Sequence, residues 1–155
     1  ERLRFQLPCG VGKSFILFNI IRTDLKEHPN AKYLIIVPWI ALGEQMARQA
    51  KQLLDIPVLL LCSGCNEKNV KKHKSSQIET LTICVSGSID KIVEKGQSYR
   101  SMFIDEAHHI ENEDSITREK IQQIKSDKVL QLSATFKNTE GLDYQMNLRD
   151  AIDAG

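Results

Sequence analysis

The chain has 155 residues, of which 41% are hydrophobic, and this content is enough to bury a single hydrophobic core. Charged residues make up 26% of the sequence and the formal net charge is +1, a balance that favours an ordinary globular domain and neither indicates nor excludes nucleic acid as a partner. No apolar run approaches the ~20 residues of a membrane span, and the first residues do not form a signal peptide.

Apolar runs alternate with longer segments of helical periodicity, which is the pattern of a parallel sheet with crossover helices. In chain order, strands are predicted near Leu3–Leu7, Tyr33–Val37, Pro57–Leu61, Leu81–Val85, Ser101–Asp105 and Val129–Leu132. Helices are predicted at Lys13–Glu27, Ile40–Leu54, Ser88–Lys95 and Ser115–Ser126. The fold class is therefore predicted to be α/β, a three-layer α/β/α sandwich with a mainly parallel sheet.

The second predicted helix has a clear apolar rhythm. Its residues at i, i+4 spacing predict one buried face, made of Leu42, Met46, Ala50 and Leu53. The most polar segment, residues 67–77, contains four lysines and a histidine, and we expect a solvated loop there rather than a basic binding patch. Because the chain begins almost on its first strand and ends soon after the last, residues 1–155 are expected to be one domain trimmed from a larger protein.

A glycine-rich segment joins the first predicted strand to the first helix: Pro8, Cys9, Gly10, Val11, Gly12, Lys13 and Ser14. Glycines let backbone amides approach the phosphates of a nucleotide, and the start of the helix adds its dipole. Lys13 supplies a cation for the β and γ phosphates, and the Ser14 hydroxyl can bind Mg²⁺. The strict motif has glycine at position 7, where this chain has leucine, but the remaining core still predicts a phosphate-binding loop.

An acidic pair follows the apolar strand that ends near position 104. That strand delivers Asp105 to the carboxyl edge of the sheet, where α/β folds bind ligands and where a carboxylate can hold Mg²⁺. The adjacent Glu106 can orient or deprotonate the water that attacks a γ phosphate. Two hydroxyl residues, Ser133 and Thr135, follow the next strand and can reach the acidic pair from there.

In this order, the three segments resemble motifs I, II and III of superfamily-two helicases of the DEAD/DEAH-box class, including restriction-subunit-like and viral members. Motif II reads Asp105-Glu106-Ala107-His108, and motif III reads Ser133-Ala134-Thr135. The resemblance implies the first, N-terminal RecA-like domain of a P-loop NTPase that uses ATP and Mg²⁺. In the intact protein it implies ATP hydrolysis coupled to movement on, or unwinding of, DNA or RNA.

The resemblance also assigns coupling and nucleic-acid contacts. His108 would couple the nucleotide site to Ser133 and Thr135. The segment Val37–Leu42 resembles motif Ia, which contacts the nucleic-acid backbone, and a later, looser match lies within Ile83–Ile92. The candidate contacts in these two segments are Pro38, Trp39, Gln45, Ser86 and Gly87. In this chain a tryptophan stands at position 39, where relatives often carry a small or basic residue.

Family members hydrolyse ATP between two RecA-like lobes, and the second lobe donates arginines. Residues 144–152 resemble the bridge towards that lobe, but no second lobe follows Gly155 in this sequence, and an upstream segment that reads adenine is also absent. The resemblance therefore implies that this fragment binds nucleotide weakly and hydrolyses it slowly.

The four cysteines require no disulfide framework, which predicts a reducing, intracellular location in the cytosol or nucleus. Cys62 and Cys65 form a C-x-x-C unit with His73 downstream, so a zinc site and a redox pair are both alternatives. A structural zinc site usually has two such pairs, and we therefore expect ordinary reduced thiols. His109, next to the coupling histidine, is expected to be a partly buried packing residue.

Two other functions fit the same phosphate loop. The chain could belong to another P-loop motor such as a packaging ATPase, although the motif III and Val37–Pro38 segments count against that reading. It could also be a non-catalytic lobe that only binds nucleotide or nucleic acid. The presence of Lys13, Asp105 and Glu106 together favours a catalytic lobe.

Overall fold

The computed structural model describes residues 1–8, 11–63, 79–112, 115–136, 140–146 and 149. The strands are β1 (Arg2–Gln6), β2 (Tyr33–Val37), β3 (Val58–Leu61), β4 (Leu81–Val85), β5 (Tyr99–Ile104), β6 (Ser126–Ser133) and β7 (Tyr144–Gln145). The helices are α1 (Lys13–Glu27), α2 (Ile40–Leu53), α3 (Asp90–Lys95), α4 (Ala107–Asn112) and α5 (Ser115–Gln123). No helix within these ranges is long and apolar enough to cross a membrane.

The strands form one seven-stranded sheet in the order β3-β4-β2-β5-β6-β1-β7. Every neighbouring pair in this order runs parallel. Parallel strands need crossover connections, and helices supply most of them along this chain. The predicted α/β class and the parallel sheet are confirmed.

Two hydrophobic cores lie on opposite faces of the sheet, which makes the fold a three-layer sandwich. Along β2 all five residues are buried, and successive side chains alternate between the two faces. Tyr33, Ile35 and Val37 belong to the core that includes residues of α1 and α2. Leu34 and Ile36 belong to the core that includes residues of α3, α4 and α5. The continuous apolar run of β2 thus reflects burial on both sides.

Helix α2 lies close to the sheet because it has a glycine at the point of contact. A Cβ atom on Gly43 would lie 3.2 Å from Leu60 Cδ1 and 3.3 Å from Val37 Cγ2, so a larger side chain would push the helix outwards. The apolar rhythm predicted for this helix is confirmed at Met46 and Ala50, which are fully buried.

The structure differs from the predicted elements at the start of β6, at the start of α3 and in two short additional elements. β6 begins at Ser126 instead of Val129, because its polar first half pairs with β5 through the backbone. A short 3₁₀ turn, Ser86–Ser88, precedes α3, which therefore begins at Asp90. The six-residue α4 and the two-residue β7 were not predicted, because such short elements contain no measurable period.

The sheet order brings the predicted motifs to one place. Because all strands are parallel, their carboxyl ends meet at a single edge, which we call the carboxyl edge. β1, which precedes the glycine-rich loop, and β5, which precedes the acidic pair, both adjoin β6. β6 ends at Ser133, so the three motif-bearing strand ends are neighbours.

Candidate functional site

The glycine-rich loop leads into α1 through a left-handed backbone conformation. Gly12 has φ 77° and ψ 40°, values that side-chain-bearing residues rarely adopt, so the sequence needs glycine here. Lys13 is the first residue of α1 and Ser14 the second, and both are partly buried. The local sequence therefore turns sharply and places a lysine and a hydroxyl at the start of a helix on the carboxyl edge.

The rest of the predicted loop is described only in part. Pro8 and Val11 are partly buried on either side of the turn. Cys9 and Gly10, which were also predicted to hold phosphates, lie outside the described residues.

Asp105 follows β5 directly and is buried, with 3% of its surface exposed. Its backbone N–H donates to the Ile36 carbonyl at 3.0 Å, and its Oδ1 accepts from the Glu106 N–H at 3.0 Å. Burial raises the pKa of the Asp105 carboxyl to about 6, and the neighbouring Glu106 carboxylate adds to the increase. Lys13 and the Glu106 N–H act in the opposite direction. This carboxylate therefore lies in surroundings that favour an additional positive charge.

Glu106 is held on both sides of its carboxylate. Its Oε1 lies 3.0 Å from Lys13 Nζ, and its Oε2 lies 3.4 Å from His108 Nδ1. The Lys13 and Glu106 side chains are 10% and 19% exposed, so the ion pair is largely shielded from water. Glu106 also has φ 50°, which is uncommon for a residue with a side chain and indicates local backbone strain. The glycine-rich loop and the acidic pair are thus in direct contact.

His108 connects the acidic pair to the end of β6. The last residue of β5, Ile104, pairs with Gln131 of β6. β6 continues for two more residues, so its last residue, Ser133, lies beside the turn that follows β5. Ser133 Oγ lies 2.5 Å from His108 Nδ1 and donates to the Thr135 carbonyl at 2.7 Å. With the Ser133 hydroxyl donating to that carbonyl, the geometry fits a His108 tautomer whose Nδ1–H donates to Ser133 Oγ. The structure therefore brings together the residues predicted to couple motif II to motif III.

The predicted nucleic-acid contacts lie at the ends of β2 and β4. Ser86 Oγ donates to the Pro38 carbonyl at 3.3 Å, so these two neighbouring strand ends are joined. Gly87 is exposed, and Trp39 exposes 45% of its surface. Gln45 is exposed on α2, further along the same segment.

His109 differs from its expectation. It is exposed rather than partly buried, and its ring contacts Trp39, with ring centroids 4.7 Å apart. The prediction of a packing histidine is wrong because α4 turns His109 towards Trp39 at the carboxyl edge instead of into the core. The contact could not be read from the sequence, since it depends on β2 and β5 being neighbours in the sheet.

The cysteine prediction is wrong at one position. Cys62, buried just after β3, takes part in a disulfide bond. Composition indicates a preferred redox compartment but does not show which sulfur atoms lie close together. Cys65 and His73 lie outside the described residues. Within the described ranges, no group of three or more histidine, cysteine, aspartate or glutamate side chains is placed to hold a metal ion.

The sequence matches a known family over residues 1–138, and the description of that family is "Type III restriction enzyme, res subunit". The match includes the glycine-rich loop, the acidic pair and the residues at the end of β6. The chain belongs to this family.

Solved structures with the same fold include an ATPase core, a restriction-modification enzyme and a helicase, and with the family match they confirm the resemblance to superfamily-two helicases. The Sulfolobus solfataricus SWI2/SNF2 ATPase core in complex with dsDNA is 14% identical, with TM-score 0.69 over 89% of this chain and 28% of that one. The Type ISP restriction-modification enzyme LlaGI, in complex with a DNA substrate mimic, is 16% identical, with TM-score 0.71 over 99% of this chain and 18% of that one. The UvsW helicase from bacteriophage T4 is 18% identical, with TM-score 0.71 over 94% of this chain and 54% of that one.

These comparisons also define how much of such a protein is present. The chain spans about half of the UvsW chain and less of the other two. No curated protein sequence matches the chain significantly. The chain therefore belongs to the restriction-subunit family and has the fold of one part of these larger proteins.

Proposed function

We propose that this lobe hydrolyses ATP together with a second RecA-like lobe, and that the intact protein uses the energy to move along or unwind nucleic acid. The observation that carries the proposal is the 3.0 Å contact between Lys13 Nζ and Glu106 Oε1. It brings the phosphate-loop lysine to the acidic pair, and Asp105 lies next to it. An ATP-hydrolysing site needs a phosphate cradle, a metal-binding carboxylate and a residue that orients water, and all three have candidates here.

Lys13 and the backbone at Gly12 would hold the phosphates. The left-handed turn at Gly12 and the start of α1 favour a bound anion, since unpaired backbone amides and the helix dipole point there. Phosphate oxygens would compete with Glu106 Oε1 for the Lys13 ammonium. Binding of ATP would therefore free one oxygen of Glu106 at the same time as it occupies Lys13.

The residues present fit a Mg²⁺ ion, with Asp105 and Ser14 as its protein ligands. Asp105 is a buried carboxylate whose pKa is raised to about 6, so a nearby divalent cation would offset the cost of its burial. Nucleotide-bound Mg²⁺ commonly takes only one or two ligands from the protein. When bound, the ion neutralises charge that develops on the phosphates.

Glu106 would orient and deprotonate the attacking water. Its Oε1 becomes available when phosphate replaces it at Lys13, whereas its Oε2 stays 3.4 Å from His108 Nδ1. The His108–Ser133 contact ties this carboxylate to the end of β6, which leads towards the C-terminal part of the chain. That link would let a second lobe sense the state of the nucleotide.

We infer that the nucleic acid is DNA. The SWI2/SNF2 core is described in complex with dsDNA, and LlaGI is described with a DNA substrate mimic. The edge that carries Pro38 and the exposed Trp39 and Gly87 lies beside the nucleotide site and is the candidate contact surface. Ser86 is buried, with 4% of its surface exposed, and its hydroxyl donates to the Pro38 carbonyl, so it supports this edge from within instead of offering a contact. If single-stranded RNA stimulated ATP hydrolysis by the intact protein and DNA did not, this part of the proposal would be contradicted.

Substitution of Lys13 tests the nucleotide site. Lys13→Ala should weaken binding of a fluorescent ATP analogue by more than about 10-fold, because the cation that faces the phosphates is lost. Lys26→Ala, which removes an exposed lysine in the last turn of α1, should leave the affinity unchanged. Unchanged affinity in Lys13→Ala would refute the site.

Glu106→Gln separates binding from hydrolysis. In the intact protein it should retain nucleotide binding and lower the ATP hydrolysis rate by about 100-fold or more, because the amide cannot accept the proton of water. The non-catalytic alternative predicts that wild type and Glu106→Gln turn over ATP equally slowly.

A further inference from the structure

Three aromatic rings form a continuous row at the carboxyl edge. The Trp39 ring meets the His109 ring edge-on, with centroids 4.7 Å apart and planes at 74°. The His109 ring lies against the His108 ring, with centroids 4.1 Å apart and planes at 42°. The row begins on the segment between β2 and α2 and ends on the histidine that contacts Glu106.

Helix geometry does not explain the contact between the two histidines. Consecutive residues on a helix point about 100° apart and do not face each other. The His108 and His109 rings nevertheless lie in contact, and the His109 ring also contacts the Trp39 ring. Trp39 thus restricts the directions that the His109 ring can take, and His109 restricts those of His108.

Local structure does not explain a tryptophan at this position either. Trp39 is the N-cap residue of α2, where Ser, Thr, Asp and Asn are preferred, and its side chain makes no capping hydrogen bond. It is also 45% exposed, so it contributes little to either core. The ring contact that the described residues show for Trp39 is the one with His109.

The orientation of the His108 ring decides how its Nδ1–H is shared. The nitrogen lies 2.5 Å from Ser133 Oγ and 3.4 Å from Glu106 Oε2, so rotation of the ring changes how its N–H is divided between the two acceptors. Stronger bonding to Glu106 Oε2 would fix the carboxylate, and stronger bonding to Ser133 would release it.

We propose that Trp39 and His109 are positioning residues for Glu106, acting through His108. A DNA strand that displaces or stacks on Trp39 then changes the freedom of His109 and His108, and so the orientation of the carboxylate. The inference rests on the proposed role of Glu106 as the residue that orients water. It adds a physical route from the exposed nucleic-acid edge to that residue.

The first experiment observes the row directly and needs no activity. The chain has four histidines, so the NMR spectrum of protein labelled with ¹⁵N-histidine is simple. In that spectrum the Nδ1–H of His108 should give a signal, because the hydrogen bond to Ser133 protects this proton from exchange with solvent. Trp39→Ala and His109→Ala should broaden or abolish that signal, whereas Trp39→Phe and His109→Phe should retain it. Ile40→Ala, which removes the exposed apolar side chain next to Trp39, is the matched control and should leave it unchanged. A signal that survives Trp39→Ala overturns the proposal.

The second experiment measures ATP hydrolysis by the intact protein at saturating DNA. Trp39→Ala should lower kcat by about 10-fold and leave the KM for ATP within about twofold, and Trp39→Phe should restore kcat. If Trp39→Ala only raises the DNA concentration for half-maximal stimulation, Trp39 is a DNA contact and the positioning role is excluded. If wild type binds no nucleotide, the proposed function fails, and the histidine signal still decides whether the row holds His108.

Discussion

A carboxylate buried at the edge of a sheet lowers the stability of the folded chain unless a cation accompanies it. Asp105 is in this position, with 3% of its surface exposed and a pKa raised to about 6. Since the folded protein holds that proton more tightly than the unfolded chain does, ionisation of Asp105 disfavours folding at neutral pH. This unfavourable burial supports the proposed role of Asp105 in holding a metal-bound nucleotide.

Asp105→Asn should consequently stabilise the protein at pH 7.5 in the absence of nucleotide and Mg²⁺. Two pKa units correspond to a gain of up to about 3 kcal/mol in the free energy of unfolding, measured by urea denaturation. The same substitution should remove the effect of Mg²⁺ on nucleotide affinity. A variant that is less stable than wild type would show that the carboxylate makes a favourable contact that exceeds the cost of its burial.

At the level of single residues, the sequence predicted which side chains would meet but not how they would pair. Lys13, Asp105 and Glu106 follow strand ends, and parallel strands bring those ends to one edge. The contact of Lys13 with Glu106, and that of Trp39 with His109, depend on which strands are neighbours. Strand order is set by packing of the whole sheet, so no local pattern contains it.

At the level of elements, a polar cluster joins α1, β2 and β5 at the amino ends of the strands, opposite the carboxyl edge that carries the proposed nucleotide site. Asp24 of α1 accepts a hydrogen bond from the Tyr33 hydroxyl at 2.7 Å and one from Arg100 Nε at 2.6 Å. The hydrogen bond from Arg100 is the main cause of the lowered pKa of Asp24, and burial partly opposes it. α1 is thereby fixed to the amino ends of β2 and β5.

Asp24→Asn should lower the midpoint of thermal unfolding by about 3–6 °C at pH 7, because the charge-assisted bonds to Arg100 and Tyr33 weaken. Since the folded-state pKa of Asp24 lies below its ordinary 3.8, this stabilisation is present above pH 4 and is lost as the pH falls through the lowered value. The difference between wild type and variant should accordingly narrow below about pH 4.

Asp90→Asn is the matched control for that measurement. Asp90 pairs with Lys120 at 2.8 Å, but its side chain is 57% exposed, so water screens the pair. Its substitution should move the midpoint by less than about 1 °C. Equal effects of the two substitutions would show that the Asp24 cluster does not fix α1 in place.

The elements themselves differed in how far the sequence determined them. β2 and β4 were predicted with their observed bounds, because strands buried on both faces read as unbroken apolar runs. The first half of β6 is polar and exposed in part, and only its backbone pairing with β5 makes it a strand. Longer elements held by side-chain burial can therefore be predicted from the sequence, whereas strand segments held by backbone pairing alone, and elements as short as α4, cannot.

At the level of the whole molecule, the strand that precedes the phosphate loop depends on distant parts of the chain. β1 lies between β6 and β7, and Leu3 is paired with Leu130 and Phe5 with Tyr144. The Leu7 N–H, next to the loop, donates to the Ser133 carbonyl at 2.9 Å. The glycine-rich loop is therefore held in place by residues that follow it by more than 100 positions.

A chain truncated after residue 125 should not bind nucleotide, although it retains Lys13, Asp105 and Glu106. Without β6 and β7, β1 has no neighbouring strand and the loop has no fixed position. A chain truncated after residue 146 keeps both strands and should bind the fluorescent ATP analogue as the full chain does. Nucleotide binding by the shorter chain at full affinity would mean that the loop forms independently of the sheet.

The position of β1 between two late strands also has a consequence for synthesis in the cell. At ~5–20 residues per second, β6 follows β1 out of the ribosome after a delay of roughly ten seconds. During that delay β1 has neither of its partner strands, and the glycine-rich loop that follows it is not yet held in place. We therefore expect a nascent chain to bind no ATP until β6 and β7 have emerged.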